Sequence, residues 1–180
     1  MIILLALAGT ARAGELDLGL GLQALTTKWD SDRGGSVALD ASWWFRDWIG
    51  ASFIGKEGHA QIDDRFLSYF SINAAFRHVF GPVRVTGTLG LVHQHEEPGT
   101  VVMDDPLGSA FGVADGIRHR MAARSGVSIA LPFRDHDHGD WYVALDIDGT
   151  VFGDDDRGPR WMTNAGLSVG FTYDFARSTK

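Results

Sequence analysis

The chain has 180 residues, a formal net charge of -7, a mean hydropathy of -0.05 and no cysteine. Its length suits one domain. The missing thiols exclude disulfide frameworks, thiol catalysis and thiolate metal sites, and the acidic balance excludes the basic footprint of a nucleic-acid binder.

Residues 1–13 form an apolar run closing on Ala11, Arg12 and Ala13, the small-x-small pattern of a secretory signal peptide. Cleavage after Ala13 is expected, which leaves Gly14 first. The run lacks a basic leader and is too short to cross a bilayer, since a spanning helix needs about 20 apolar residues.

From residue 14 onward the dominant period is two, not 3.6, and a period of two is that of a strand with distinct faces. The first segment sets Leu16, Leu18, Leu20 and Leu22 against Asp17, Gly19, Gly21 and Gln23. The second sets Val37, Leu39, Ala41, Trp43 and Phe45 against Ala38, Asp40 and Ser42. A third, less regular, runs from Trp48 to Gly55. The fourth, Phe66 to Phe80, sets Phe70, Ile72, Ala74 and Phe76 against Ser71, Asn73, Ala75 and Arg77. The fifth sets Val83, Val85, Leu89 and Leu91 against Arg84, Thr86, Thr88 and Gly90, and the sixth sets Ala123, Val127, Ile129 and Leu131 against Arg124, Gly126 and Ser128. The seventh sets Trp141, Val143, Leu145 and Ile147 against Ala144, Asp146 and Asp148. In the eighth, Ala165, Leu167, Val169, Phe171, Tyr173 and Phe175 alternate with Asn164, Gly166, Ser168, Gly170, Thr172 and Asp174.

Eight such segments predict an all-β fold, an eight-stranded antiparallel up-and-down barrel over residues 14–175 with a short tail at 176–180. Small and charged residues decide which face is inside, because eight strands enclose a narrow interior that side chains must fill. The Leu, Val, Ile and Phe face then points outward, which lipid tolerates and water does not. Inside, Asp17, Asp40, Asp146 and Asp148 are expected to pair with Arg77, Arg84 and Arg124, giving a polar, plugged lumen and no open pore.

Two further signals agree. The five prolines are assigned to strand ends (Pro82 and Pro132) or loops (Pro98, Pro106 and Pro159), as a residue without an N–H requires. Aromatic residues gather as two girdles: Trp43, Phe45, Trp48, Phe80, Phe133, Trp141, Tyr173 and Phe175 at one rim, and Trp29, Phe66, Phe152 and Trp161 at the other. Connections on the first rim are expected near 46–47 and 81–82, with a longer one at 134–140. Those on the second are expected at 27–35, 56–64, about 94–117 and 153–160. Short turns mark the periplasmic side and long loops the outside.

The octet Ser168-Val169-Gly170-Phe171-Thr172-Tyr173-Asp174-Phe175 resembles the C-terminal assembly signal of outer-membrane barrels, with Ser168, Gly170, Tyr173 and Phe175 in its slots. The whole segment 14–175 resembles the small OmpA/OmpX and opacity-protein type. That resemblance implies a bacterial outer-membrane location, delivery by periplasmic chaperones and the outer-membrane assembly machinery, a monomer, and contact with outer-membrane lipids and lipopolysaccharide. It implies no single activity. The functional expectation is a non-enzymatic surface barrel acting through its long loops, mainly 94–117, in structural, lipid or adhesion-type interactions. No cofactor and no nucleic-acid partner is expected.

The cluster His93, His95 and His119 is the most suggestive candidate for chemistry. Residues i and i+2 share a strand face, and if residue 93 sits opposite 119 three imidazoles converge on the outer rim. Imidazole suits zinc, copper or nickel. The same region carries the alternative function, a membrane-embedded lipid A-modifying enzyme. Arg118, Arg120 and Arg124 are candidates for lipopolysaccharide phosphate or for internal pairing. Asp104 and Asp105, and Asp154 to Asp156, are candidates for bridging divalent cations.

Overall fold

Every alternating segment forms a strand, and the strands pair in chain order until the last closes on the first. The computed structural model describes residues 14–28, 32–153 and 158–175. In it β1 spans Glu15–Thr27, β2 Arg33–Arg46, β3 Ile49–Ala60, β4 Arg65–Phe80, β5 Val83–Pro98, β6 Arg118–His136, β7 Gly139–Phe152 and β8 Trp161–Asp174. All neighbours are antiparallel, and β1 pairs with β8 from Glu15 opposite Asp174 to Thr27 opposite Met162. Closure leaves no unpaired edge, which a bilayer requires because lipid offers no hydrogen bonds.

The alternation has the expected sense. Ile72, Leu22 and Leu167 are 72%, 70% and 69% exposed on the outer face. The inner positions beside them, Ser71, Asn73 and Gln23, are buried. Each outer leucine or isoleucine would forfeit about 1.5–3 kcal/mol if water, not lipid, surrounded the wall. Trp43, Phe45, Trp48, Phe80, Phe133 and Trp141 are exposed around the periplasmic rim, where Phe175 packs on Trp43 at 5.3 Å and on Tyr173 at 4.7 Å.

Several boundaries and placements differ from expectation. β3 continues to Ala60 and β5 to Pro98, so the connections there are 61–64 and 99–117, not 56–64 and 94–117. The ladder outlasts the apolar band: beyond it the outward positions turn polar, at Glu57 and at Glu97, the latter only 4% exposed, while the backbone pairing persists. The 134–140 connection shrinks to a hairpin in which His136 pairs with Gly139. Pro98 ends a strand instead of lying in a loop, and Pro132 lies inside β6, where the register shifts between Pro132 and Arg134. A bulge of this kind accommodates the missing N–H. Phe152 belongs to no girdle; it points inward and is 2% exposed. The signal peptide at 1–13, the tail at 176–180, Trp29 and Asp154 to Asp156 lie outside the described residues.

Within the 99–117 connection two short helices form, α1 over Gly99–Asp104 and α2 over Pro106–Phe111. Asp105 starts α2 by accepting a hydrogen bond from the Gly108 N–H at 2.9 Å. That role, a helix N-cap followed by Pro at N1, explains this carboxylate without a cation.

Candidate functional site

The lumen is filled in three layers, each built from inward positions of facing strands. At the periplasmic end Asp17 is the hub. It accepts from the Trp44 indole at 2.7 Å and from the Thr172 hydroxyl at 2.5 Å, with Arg84 at 3.7 Å and Arg77 at 3.9 Å. Arg77 also bonds Glu15 and donates to the Asp47 carbonyl at 3.0 Å. The two guanidinium groups stack on aromatic faces, Arg77 on Trp44 at 4.3 Å and Arg84 on Tyr142 at 4.7 Å. Cation–π contact of this kind strengthens as water is removed.

The middle layer centres on Asp148. Lys56 donates to it at 2.5 Å, Asn164 donates at 3.1 Å, and Arg124 stands at 3.5 Å. Asp146 accepts from Ser168 at 2.6 Å and Asp40 from Ser42 at 3.0 Å. All seven charged residues expected in the lumen, Asp17, Asp40, Arg77, Arg84, Arg124, Asp146 and Asp148, therefore face inward. They do not form one network, because Asp40 and Asp146 bond serines. Between this layer and the lower one lies a cavity of about 90 Å³ lined by Asp40, Lys56, Arg84, Arg124, Tyr142 and Asp146 among others.

The third layer was not foreseen. Near the extracellular mouth Leu25, Leu67, Tyr69, Val92, Phe152 and Met162 pack with Ala60 and Ala122 as an apolar disc. Above it sits a buried charge cluster. Arg120 donates to Glu96 at 2.9 Å, Arg65 donates to Glu96 at 3.3 Å and to Asp32 at 2.5 Å, and Gln94 donates to Glu96 at 2.7 Å. Asp32 also accepts from Thr27 at 2.6 Å and from the Ile62 N–H at 3.1 Å. Exposure is 0–1% for Asp32, Arg65, Glu96 and Arg120. Counting strand parity onward from Val92 to Glu96 and back from Arg124 to Arg120 would have found this pair. Of the arginines considered for lipopolysaccharide, Arg120 and Arg124 are thus internal, and Arg118 reaches Glu96 at 3.5 Å.

Among the described residues, Gly158 and Pro159 lie over the mouth, whereas the 99–117 loop lies outside it. The Pro159 carbonyl accepts from Arg120 at 3.0 Å, and Gly158 lies against Arg120 and Glu96. The 99–117 loop instead leans on the outer wall: Gly99 approaches Asp64 and Phe66, and Gly112 approaches His95.

On that wall the three histidines meet. The register is His95 opposite His119 and His93 opposite Met121, two residues away from the 93–119 pairing expected. The correction improves convergence, since His95 and His119 face each other directly and His93 follows His95 on the same face. His93 Nε2 lies 2.8 Å from His95 Nε2 and 3.3 Å from His119 Nδ1. All three ligand nitrogens fall within 4.8 Å of one another. His93 and His95 are half-buried and His119 is exposed.

No protein-family model and no curated protein matches the chain. Solved structures do match in shape. The N-terminal β-barrel domain of Pseudomonas aeruginosa OprF superposes with a TM-score of 0.59 at 16% identity, covering 91% of this chain and 98% of that one. The chain has the small outer-membrane β-barrel fold. Neisserial surface protein A follows at 0.58 and 11% identity, over 90% and 97% of the two chains. Ail, the attachment invasion locus protein of Yersinia pestis, solved with the heparin analogue sucrose octasulfate, follows at 0.54 and 13% identity, over 89% and 99%. An apolar exterior closed around a filled lumen fits the bacterial outer membrane that these barrels occupy. The assembly-signal positions have visible structural roles. Ser168 bonds Asp146, Tyr173 and Phe175 build the girdle, and Gly170 leaves room for the Tyr142 ring, which a Cβ would meet at 2.3 Å.

Proposed function

We propose that the protein is a non-conducting surface barrel that acts at its extracellular end, where the 99–117 loop rests against the lipids of the outer leaflet, lipopolysaccharide included. The carrying observation is the contrast between mouth and loop. Asp32, Arg65, Glu96 and Arg120 cork the lumen above an apolar disc, so a solute has no route through it. The loop, leaning on the outer wall, exposes Met103, Leu107 and Val113 at 83%, 72% and 76%. Three large apolar side chains on one connection mark a contact surface, and the wall beside them carries the outward apolar residues of the barrel.

The chain has no cysteine, so Leu107→Cys carrying an environment-sensitive fluorophore reports on this loop alone. In vesicles containing lipopolysaccharide its emission should shift to the blue relative to detergent-free urea, and lipid-borne quenchers at headgroup depth should reduce it. Emission from a fully aqueous label, unaffected by those quenchers, would overturn the lipid contact. Stepwise conductance in planar bilayers would overturn the closed lumen. The lipid A-modifying alternative gains no support from the histidines, whose hydrogen-bonded neighbours among the described residues are one another and Met121. A general base needs a nucleophile within reach.

A further inference from the structure

The three imidazoles on the outer wall belong neither to the lumen network nor to the apolar loop surface, and hydrogen bonding alone explains them poorly. His93 Nε2 is the common neighbour of His95 Nε2 and His119 Nδ1. A neutral ring nitrogen has one lone pair, which serves one donor well and not two. A cation at the centre removes the conflict, because each ring then gives its own lone pair to the metal. With metal–nitrogen bonds of about 2.0–2.1 Å, tetrahedral geometry sets ligand nitrogens about 3.3–3.4 Å apart. The His93–His119 spacing of 3.3 Å lies in that range, the His93–His95 spacing of 2.8 Å is shorter, and all three nitrogens fall within 4.8 Å.

We propose that His93, His95 and His119 bind one divalent transition-metal ion of the imidazole-preferring class, copper(II) more tightly than zinc(II). Three neutral nitrogens and no carboxylate select against magnesium and calcium, which take oxygen ligands, and the general affinity order places copper above zinc. The site is held from several sides. The β5–β6 ladder fixes His95 opposite His119. His93 Nδ1 faces the Met121 sulfur at 3.2 Å, and a proton on that nitrogen leaves the Nε2 lone pair directed at the other rings. An outer contact that fixes tautomer and orientation is the usual companion of a metal-ligating imidazole. Phe70 packs edge-on against His95 at 6.2 Å. Above, Gly112 adopts φ 69°, and a Cβ there would stand 2.0 Å from His95 Cε1, so the loop backbone approaches the ring only because this residue is glycine. The exposed side of His119 leaves a fourth position for water or a lipid phosphate. The inference is independent of the loop–lipid contact, since metal content and loop environment are separate readouts.

The test uses the full chain folded in detergent, with zinc(II) or copper(II) alone as probes and magnesium(II) and calcium(II) as controls. Equilibrium dialysis with metal analysis should show one equivalent of zinc or copper retained at micromolar free metal, and none of the controls. X-ray absorption of the zinc form should show three imidazole ligands. His119→Ala should weaken zinc binding by at least about 100-fold, more than an outer-contact change produces. Gly112→Ala, which keeps all ligands but displaces His95, should weaken it by about 10-fold to 100-fold. His78→Ala, at the far end of the barrel, should change nothing. Heat-modifiable electrophoretic migration establishes that each variant is folded, as expected for substitutions on the wall. No retained zinc or copper in the folded parent would overturn the proposal, as would undiminished binding in folded His119→Ala.

Discussion

Arg120 and Glu96 meet at 2.9 Å inside the extracellular mouth, with side chains wholly removed from solvent. Two charges at such a site hold each other in place, and removing one leaves a buried counter-charge less well compensated. Glu96→Ala leaves Arg65 and Arg120 without their shared carboxylate and should cost about 3–5 kcal/mol. Reversible urea unfolding in lipid vesicles, followed by tryptophan emission, measures this. A loss below about 1 kcal/mol, the value of an exposed pair, would show that water reaches the mouth.

Lys56→Met supplies the contrasting case. Asp148 loses one cation but keeps Arg124 at 3.5 Å and Asn164 at 3.1 Å, so the buried carboxylate stays compensated. The same unfolding measurement should give a clearly smaller loss than Glu96→Ala. Equal losses would mean that Lys56 alone neutralises Asp148.

Gly170→Ala tests packing at the seam. The added methyl meets the Tyr142 ring and the Leu18 carbonyl, and overpacking of this kind costs about 1–3 kcal/mol. Tyr142→Ala combined with Gly170→Ala should recover part of that loss, because the ring is what the methyl strikes. Strict additivity of the two would refute the contact.

Leu167→Arg addresses the exterior. Leu167 lies midway along β8 on the lipid face, and an arginine at bilayer mid-depth costs about 2–4 kcal/mol in such barrels. Folding yield into vesicles, read by heat-modifiable migration, should fall. The same substitution at Phe133, on the rim, should cost about 0–1 kcal/mol.

Strand number, chain order and the inside–outside sense were legible in the sequence because lipid and lumen impose opposite chemistry on alternate residues. Leu18 and Asp17 could not exchange faces without burying a charge in hydrocarbon. Strand ends were less legible, since that selection stops where the lipid stops. Lys56, Glu57, Glu96 and Glu97 read as loop although their backbones still pair. Inward aromatics were hidden as well: Trp43 and Trp44 are adjacent and equally apolar, yet one joins the girdle and the other carries Asp17 on its indole. The mouth cluster escaped for the same reason as the strand ends. Arg65, Glu96 and Arg120 lie on the neighbouring strands β4, β5 and β6, beyond the ends that the apolar alternation marks, and Asp32 precedes β2. The histidines stood out by composition, while their convergence depended on a register that no local pattern specifies.

The seam between β1 and β8 has a consequence for biogenesis. Asp17 and Thr172, bonded across it, lie 155 positions apart, so the first strand stays half-paired until the final one has been made and delivered. A chain that ends before β8 (Trp161–Asp174) carries the apolar alternation of the earlier strands and cannot close the ring. The ring can therefore close only on a chain that carries an intact β8, because β1 has no other partner on that side.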